Sequence, residues 1–119
     1  MVIYVSLRYM NKSGLYKGCL EPILLKLLDE HGRMYGYEIT QKVKELTAGE
    51  LSITEGALYP LLHRLEAEGV LEVEVENIGN RVRKYYALTK AGKKEKSKAL
   101  TELENFRNTL QLLLNPKLA

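Results

Sequence analysis

The spacing of apolar residues changes twice along this chain, and these changes limit the folds that it can adopt. From Leu15 to Gly69 the apolar residues recur every three or four positions, as they do on one face of an α-helix. From Leu71 to Leu88 they alternate with polar residues, which is typical of β-strands. From Thr89 the helical spacing returns and continues to about Asn115. The sequence therefore predicts helices, then a two-stranded hairpin, then one long helix.

Two helices are expected in the first part of the chain. The first is predicted from about Leu15 to His31, and Gly32 suits the left-handed backbone that follows a last helical turn. Its apolar stripe contains Leu20, Ile23, Leu24, Leu27 and Leu28. The second helix is predicted over residues 36–47 and is stopped by Gly49. Its core face is expected to contain Ile39, Val43 and Leu46.

A third helix has the clearest start signal in the chain. Ser52 and Glu55 have the spacing of a capping box, in which the serine oxygen accepts from an early amide and the glutamate reaches back. Gly69 ends the helix, and Pro60 lies inside it, four residues after Gly56. Its apolar face is predicted to contain Ile53, Ala57, Leu58, Leu61, Leu62 and Leu65.

The hairpin joins an acidic strand to a basic one. In the first strand Leu71, Val73 and Val75 alternate with glutamates, and the second strand is predicted over residues 82–88. Residues 77–80 between them predict a loop longer than two residues. Because the two strands carry opposite charges, cross-strand Glu–Arg and Glu–Lys pairs are expected.

The final helix carries a second periodic pattern. Thr89 is placed to cap its first turn. Five apolar residues then follow at alternating intervals of four and three, the heptad spacing of helices that pair with each other. We call them the heptad seam: Ala99, Leu103, Phe106, Leu110 and Leu113. Because monomers avoid exposing an apolar surface of this length, the seam predicts a homodimer.

This order of elements predicts a mainly α winged helix-turn-helix with a small β-hairpin and a long C-terminal dimerisation helix. In that architecture the third helix enters the DNA major groove, and the hairpin touches the flanking backbone. The boundaries assigned are an N-terminal extension over residues 1–14, a winged-helix DNA-binding domain over 15–88, and a dimerisation helix over 89–119.

Basic residues are concentrated in and after the hairpin. Eight basic residues and one acid lie between Arg81 and Lys98, so this segment carries +7 in a chain whose formal charge is +3. A compact basic patch on an otherwise slightly acidic protein indicates a polyanionic partner, here double-stranded DNA. A solvated, lysine-rich helix face is the alternative for the same residues. A dimer would suit a palindromic operator with half-sites about 34–36 Å apart, or a multiple of that distance.

Candidate DNA contacts come from the start of the second helix, the exposed stripe of the third helix and the hairpin tip. They are Tyr37, Ser52, Thr54, Glu55, Gly56, Tyr59, His63, Arg81, Arg83 and Lys84. Small or hydrogen-bonding side chains suit a helix in a groove, and basic residues can neutralise phosphates. The alternatives are roles without DNA contact: Tyr59 covers the edge of the core, His63 is solvated, and the hairpin arginines pair with the glutamate strand.

Enzyme activity, a metal and a cofactor are not expected. The chain has two histidines and one cysteine, without the spacing of a zinc site, and it has no nucleophile or phosphate-binding motif. A single cysteine permits no intrachain disulfide, which favours a reducing compartment. No apolar stretch reaches the length of a membrane span, and no signal-peptide pattern is present. A cytoplasmic protein without a membrane partner is therefore predicted.

Four segments resemble the signature of the PadR-like transcriptional regulators. They are YGYEI at 35–39, GALYPLLHRLE at 56–66, EGVL at 68–71 and RKYYALTKAG at 83–92. The resemblance covers residues 15–114 and implies a homodimeric bacterial or archaeal winged-helix repressor, dimerised through its C-terminal helix. It also implies relief by a small hydrophobic or aromatic effector. The chain departs from the family in having Ala57 where threonine is usual, and no tryptophan to stack a flat ligand between subunits.

The predicted function is thus a sequence-specific DNA-binding transcriptional regulator that represses genes as a homodimer. Two alternatives belong to other classes. One is a winged-helix module that docks a protein, against which the +7 segment argues. The other is a helical dimer that binds small molecules without binding DNA.

Overall fold

A computed structural model of the chain describes residues 14–115 and residue 117. A 3-10 turn at Lys17–Cys19 leads directly into the first long helix. The elements are α1 (Leu20–His31), β1 (Met34–Tyr35), α2 (Gly36–Leu46), α3 (Glu55–Ala67), β2 (Leu71–Ile78), β3 (Arg81–Leu88) and α4 (Lys90–Leu114). The predicted mainly α winged helix-turn-helix with a small β-hairpin and a long last helix is confirmed, and β1 adds a third strand that was not predicted from the sequence. Nearly all of the predicted N-terminal extension lies outside the described residues.

Three antiparallel strands form one sheet in the order β1–β3–β2, so β3 lies at its centre. Tyr86 on β3 pairs with Met34 on one side and with Val73 on the other. Its side chain is 2% exposed, and Tyr85 beside it points to the opposite face. One of these two adjacent tyrosines is therefore in the core, and the other lies on the outer face of the sheet.

The β2–β3 hairpin, which we call the wing, has a shorter loop than the sequence predicts. Asn77 and Ile78 pair with Val82 and Arg81, so both belong to the strand ladder and only residues 79–80 form the turn. The prediction of a loop longer than two residues is therefore wrong. Gly79 makes the tight turn feasible, because its φ of 61° lies in the left-handed region that glycine adopts without strain.

The cap of α3 is Thr54 and not Ser52. The Thr54 hydroxyl oxygen accepts a hydrogen bond of 3.2 Å from the Ala57 amide, and the helix begins at Glu55. Leu51 and Ile53 are both buried from an extended segment, which keeps Ser52 out of the helix. Either hydroxyl could serve as a cap by local chemistry, so burial of the flanking apolar residues decided between them.

The hydrophobic core lies between α1, α3 and the inner face of the sheet. Its largest fully buried side chains are Tyr86, Leu24, Leu25, Leu28, Ile39, Leu58, Leu62, Leu65 and Val43. Three residues predicted for apolar faces are exposed instead: Leu46, Ala57 and Val75. Leu46 lies in the last turn of α2 at the edge of the core. Val75 lies on the part of the wing that extends beyond the helices.

Helix α4 is attached to the core at its first turns. The Thr89 hydroxyl accepts a hydrogen bond of 3.0 Å from the Gly92 amide, which confirms the predicted cap, and it donates one of 2.6 Å to the Gly69 carbonyl. Further along, Lys96 pairs with Asp29 of α1 at 2.9 Å, and Ala99 is buried. None of the described helices is long and apolar enough to cross a membrane.

We predict that Gly92→Ala lowers the free energy of unfolding by about 1–3 kcal/mol, because an added methyl group would overlap the Val70 carbonyl oxygen. Urea unfolding followed by circular dichroism measures the change. Gly56→Ala is the matched control, since the closest atom to its added methyl group, Thr54 Oγ1, is 3.9 Å away. Equal unfolding midpoints for the two variants would contradict the close packing of α4 on this loop.

Candidate nucleic-acid interface

The exposed side of α3 carries most of the helix residues predicted to contact DNA. Glu55, Gly56, Tyr59 and His63 are exposed, whereas Leu58, Leu62 and Leu65 on the opposite side are buried. The helical repeat therefore separates a core face from a polar face. Pro60 lies within the helix on its exposed side.

A surface depression of about 450 Å³ joins α3, the start of α2 and the wing. It is lined by Tyr35, Gly36, Tyr37, Tyr59, His63, Val82, Arg83, Lys84 and Tyr86. Five of the predicted contact residues are thus brought together from three elements: Tyr37, Tyr59, His63, Arg83 and Lys84. Hydroxyl, imidazole and basic groups on one surface can form hydrogen bonds and ion pairs with the phosphates of a nucleic-acid backbone.

A close contact between α2 and α3 forms the floor of this depression. The Tyr59 side chain lies across Gly36, and a Cβ added at Gly36 would be 2.5 Å from the Tyr59 hydroxyl oxygen. The Tyr59 ring is also 6.2 Å from the His63 ring. Tyr59 is 36% exposed, so it both covers part of the core and offers an edge to solvent. The absence of a side chain at Gly36 is what permits this packing.

The start of α2 presents backbone amides beside Tyr37. The Tyr35 amide donates a hydrogen bond of 3.1 Å to the Glu38 carboxylate, which satisfies one group at the helix start. Tyr37 is 60% exposed in the first turn. A helix start that carries an exposed hydroxyl group suits contact with a phosphate.

Other predicted residues lie apart from the depression. Ser52 and Thr54 line a separate surface hollow with Tyr16 and Ile53, and the Thr54 hydroxyl is used as the cap of α3. Glu55 lies in the first turn of α3, and it forms no ion pair with another described residue.

The basic residues of the wing lie on two faces of the hairpin. Lys84 shares a face with Val82 and Tyr86, whereas Arg81 and Arg83 occupy the opposite face. From sequence position alone, all three cations are expected together at the tip of the hairpin. Lys84 therefore lies on the face of the wing that is continuous with the core, whereas the two arginines lie on the outer face.

The expected cross-strand pairs between the glutamates and the wing cations are wrong. Glu76 is opposite Arg83 in register, but its carboxylate pairs with Arg33, as does that of Glu74. The guanidinium of Arg83 instead lies over the Tyr35 ring, 4.0 Å from its centre. Hydrogen bonding to the Tyr85 side chain raises the pKa of Arg83, so its charge is retained.

Sequence reasoning missed three residues that hold the wing, namely Arg33, Tyr35 and Tyr85. No local pattern marks Arg33, because its ion-pair partner Glu74 is separated from it by 41 residues. The tyrosine rings meet edge to face at 5.6 Å because β1 pairs with β3. Within the described residues, no group of three or more His, Cys, Asp or Glu side chains is arranged to hold a metal ion.

Comparison with known proteins agrees with this architecture. The model of the transcriptional regulator PadR-like family matches residues 24–98. An uncharacterised protein of Lysinibacillus sphaericus is 33% identical over 106 residues, which cover 88% of this chain and 96% of that protein. A transcriptional regulator from Clostridium thermocellum has a similar structure, with a TM-score of 0.77 and 30% identity over 83% of this chain and 96% of the other.

One similar structure is of a protein bound to DNA. It is Bacillus subtilis PadR in complex with operator DNA, which matches with a TM-score of 0.62 and 32% sequence identity. The match covers 69% of this chain and 45% of that protein.

The contact between Gly36 and Tyr59 predicts energetic coupling between these residues. Gly36→Ala should destabilise the protein, because the added methyl group displaces the Tyr59 ring. In a Tyr59→Ala background the same substitution should cost less, with a coupling energy of about 0.5–3 kcal/mol. Urea unfolding of the two single variants and the double variant measures it. Additive effects would show that the tyrosine does not lie on the glycine.

Proposed function

This chain belongs to the PadR-like family of transcriptional regulators, and on that premise we propose that it is a homodimeric repressor that binds a palindromic operator. The observation that carries the proposal is the depression that brings together Tyr37, Tyr59, His63 and Lys84, with Arg83 lining it from the outer face of the wing. The family is one of regulators and not of enzymes. A repressor acting on chromosomal DNA works in the cytoplasm, which is the location we propose.

In the proposed complex α3 enters the major groove with its exposed side. Glu55 and Gly56 lie in its first turn, where a recognition helix contacts base edges. An exposed glycine permits close approach of the backbone, and a glutamate can accept from the amino group of cytosine. Ser52 and Thr54 just before the helix remain predicted contacts at the edge of the groove.

The other contacts are proposed to hold the DNA backbone. Tyr37 and Tyr59 would donate their hydroxyl groups to phosphates, with His63 beside them at the far end of the stripe. Lys84 would neutralise phosphates from the inner face of the wing, and Arg81 and Arg83 from its outer face. Bacillus subtilis PadR, a similar structure, is bound to operator DNA, which supports this use of the fold.

The free end of α4 supports dimerisation. Ala99 of the heptad seam is buried in the chain's own core, so the part left for a partner begins at Leu103. Beyond it Phe106, Leu110 and Leu113 are exposed by 55%, 38% and 74%. Burial of these side chains against a second copy would remove the exposed apolar surface, and a two-fold dimer would present two copies of α3.

A hollow beside the seam supports the proposed effector. It has a volume of about 290 Å³ and lies between the start of α1 and α4. Its lining includes Cys19, Pro22, Leu103 and Phe106, which suits a small hydrophobic or aromatic molecule. Because Leu103 and Phe106 belong to both the hollow and the seam, a bound molecule would alter the contact between subunits.

A salt titration separates DNA binding from the protein-docking and small-molecule alternatives. Binding of the wild-type chain to a mixed-sequence duplex should weaken steeply as salt rises, because phosphate contacts release counterions. Lys84→Ala should weaken binding to all duplexes and reduce the slope of log affinity against log salt by about 1. Fluorescence anisotropy measures both quantities.

Lys26→Ala is the matched control for Lys84→Ala. It removes the same charge, but Lys26 lies on α1 beside Leu46 and Thr47, at the end of α2 opposite to Tyr37. The control should keep the wild-type slope. If Lys84→Ala and Lys26→Ala have equal slopes of log affinity against log salt, the wing does not contact DNA. If the wild-type chain does not bind the duplex, the protein-docking or small-molecule alternative is favoured.

Leu103→Glu is expected to dissociate the proposed dimer, because it places a charge where the part of the seam left for a partner begins. Sedimentation equilibrium measures the mass of the particle. Leu46→Glu introduces the same charge at an exposed leucine of α2 outside the seam, and should leave the dimer intact. A Leu103→Glu variant that still sediments as a dimer would contradict the role of α4.

A further inference from the structure

Arg33 connects the loop before β1 to the wing. One of its terminal nitrogens, Nη1, lies 2.6 Å from a carboxylate oxygen of Glu74, and the other, Nη2, lies 2.9 Å from one of Glu76. Each carboxylate on this part of β2 therefore receives its own charged hydrogen bond. The side chain of Arg33 is 44% exposed, so this cluster lies at the surface and not in the core.

Aromatic contacts hold Arg33 in this position. Its guanidinium lies over the Tyr85 ring, 4.3 Å from the ring centre. Tyr85 meets Tyr35 edge to face, and Arg83 lies over Tyr35. The four side chains form a continuous series on the outer face of the sheet, because Tyr35, Tyr85 and Glu74 are direct partners in the strand register. We call this series the arginine–tyrosine cluster.

The net charge on the outer face of the wing depends on the ion pairs of Arg33 with Glu74 and Glu76. Glu74 and Glu76 share the outer face with Arg83, which our proposed function places against DNA phosphates. Carboxylates without a compensating cation would repel those phosphates, since like charges across an interface are unfavourable. Arg33 supplies the cation that pairs with these carboxylates, because the guanidinium of Arg83, opposite Glu76 in register, lies over the Tyr35 ring instead.

We propose that Arg33 is a positioning residue for DNA binding, which neutralises Glu74 and Glu76 and so lets the basic wing approach the phosphate backbone. The inference rests on the proposed function. It assigns Arg33 no contact with DNA: both of its terminal nitrogens donate to the two carboxylates, and its guanidinium lies over the Tyr85 ring. Its contribution to folding is small, since exposed ion pairs stabilise a fold only weakly.

The test uses the full chain and a mixed-sequence duplex, with affinity measured by fluorescence anisotropy at low salt. Arg33→Gln should weaken binding about fivefold, with thermal unfolding nearly unchanged. Arg33→Lys gives up the forked geometry but keeps a positive charge beside the two carboxylates, and because the proposed role is neutralisation it should bind within about twofold of the wild-type chain. Neutralising both carboxylates in the Arg33→Gln background, with Glu74→Gln and Glu76→Gln, should restore affinity.

Arg64→Gln is the matched control, because Arg64 also pairs with two glutamates, Glu21 and Glu68, and its side chain is 50% exposed against 44% for Arg33. It should bind DNA as the wild-type chain does. Wild-type affinity of the Arg33→Gln variant would overturn the inference. Failure of the triple variant to recover wild-type affinity would also overturn it. A direct contact between Arg33 and DNA, or a purely structural role of Arg33, predicts that the loss of affinity persists in the triple variant. No duplex binding by the wild-type chain would instead overturn the proposed function.

Discussion

The pairing of β3 with both β1 and β2 is the constraint on which the rest of this structure depends. Strand β3 belongs to the wing and leads through Thr89 into α4, while β1 leads directly into α2. Tyr86 on β3 is buried between Met34 and Val73, so packing in the core holds all three strands in register. Because side chains alternate across a strand, this register also decides which wing residues face inward.

The proposed DNA-binding surface is a consequence of that register. It joins the start of α2, the exposed side of α3 and the wing, and these elements meet because the strands and helices share one core. The contact of Gly36 with Tyr59 ties the two helices, and the arginine–tyrosine cluster ties the wing to β1. The residues proposed to read bases and those proposed to contact the DNA backbone therefore belong to one packed unit.

Helix α4 links this unit to the proposed second subunit. Its first turns are fixed by Thr89 and by the close packing of Gly92, and Ala99 is still buried in the core. Beyond Leu103 the helix leaves the core and exposes its apolar residues. A change in the hollow between α1 and α4 would thus act on the helix that is proposed to join the two subunits.

The sequence by itself determined the order and type of the long helices and of the two wing strands, because apolar period, helix-ending glycines and the Thr89 cap are local signals. It also indicated Tyr59, His63 and Lys84, which the structure brings to one surface. It did not predict β1, whose two residues are a strand only because they pair with β3. Only the tertiary structure decided the cap of α3, the turn of the wing and the partners of its charges. Thr54 replaced Ser52 because neighbouring apolar side chains are buried, and the glutamates of β2 pair with a distant arginine because the strand register brings them together. Such choices depend on packing between segments far apart in the chain, which no local pattern records.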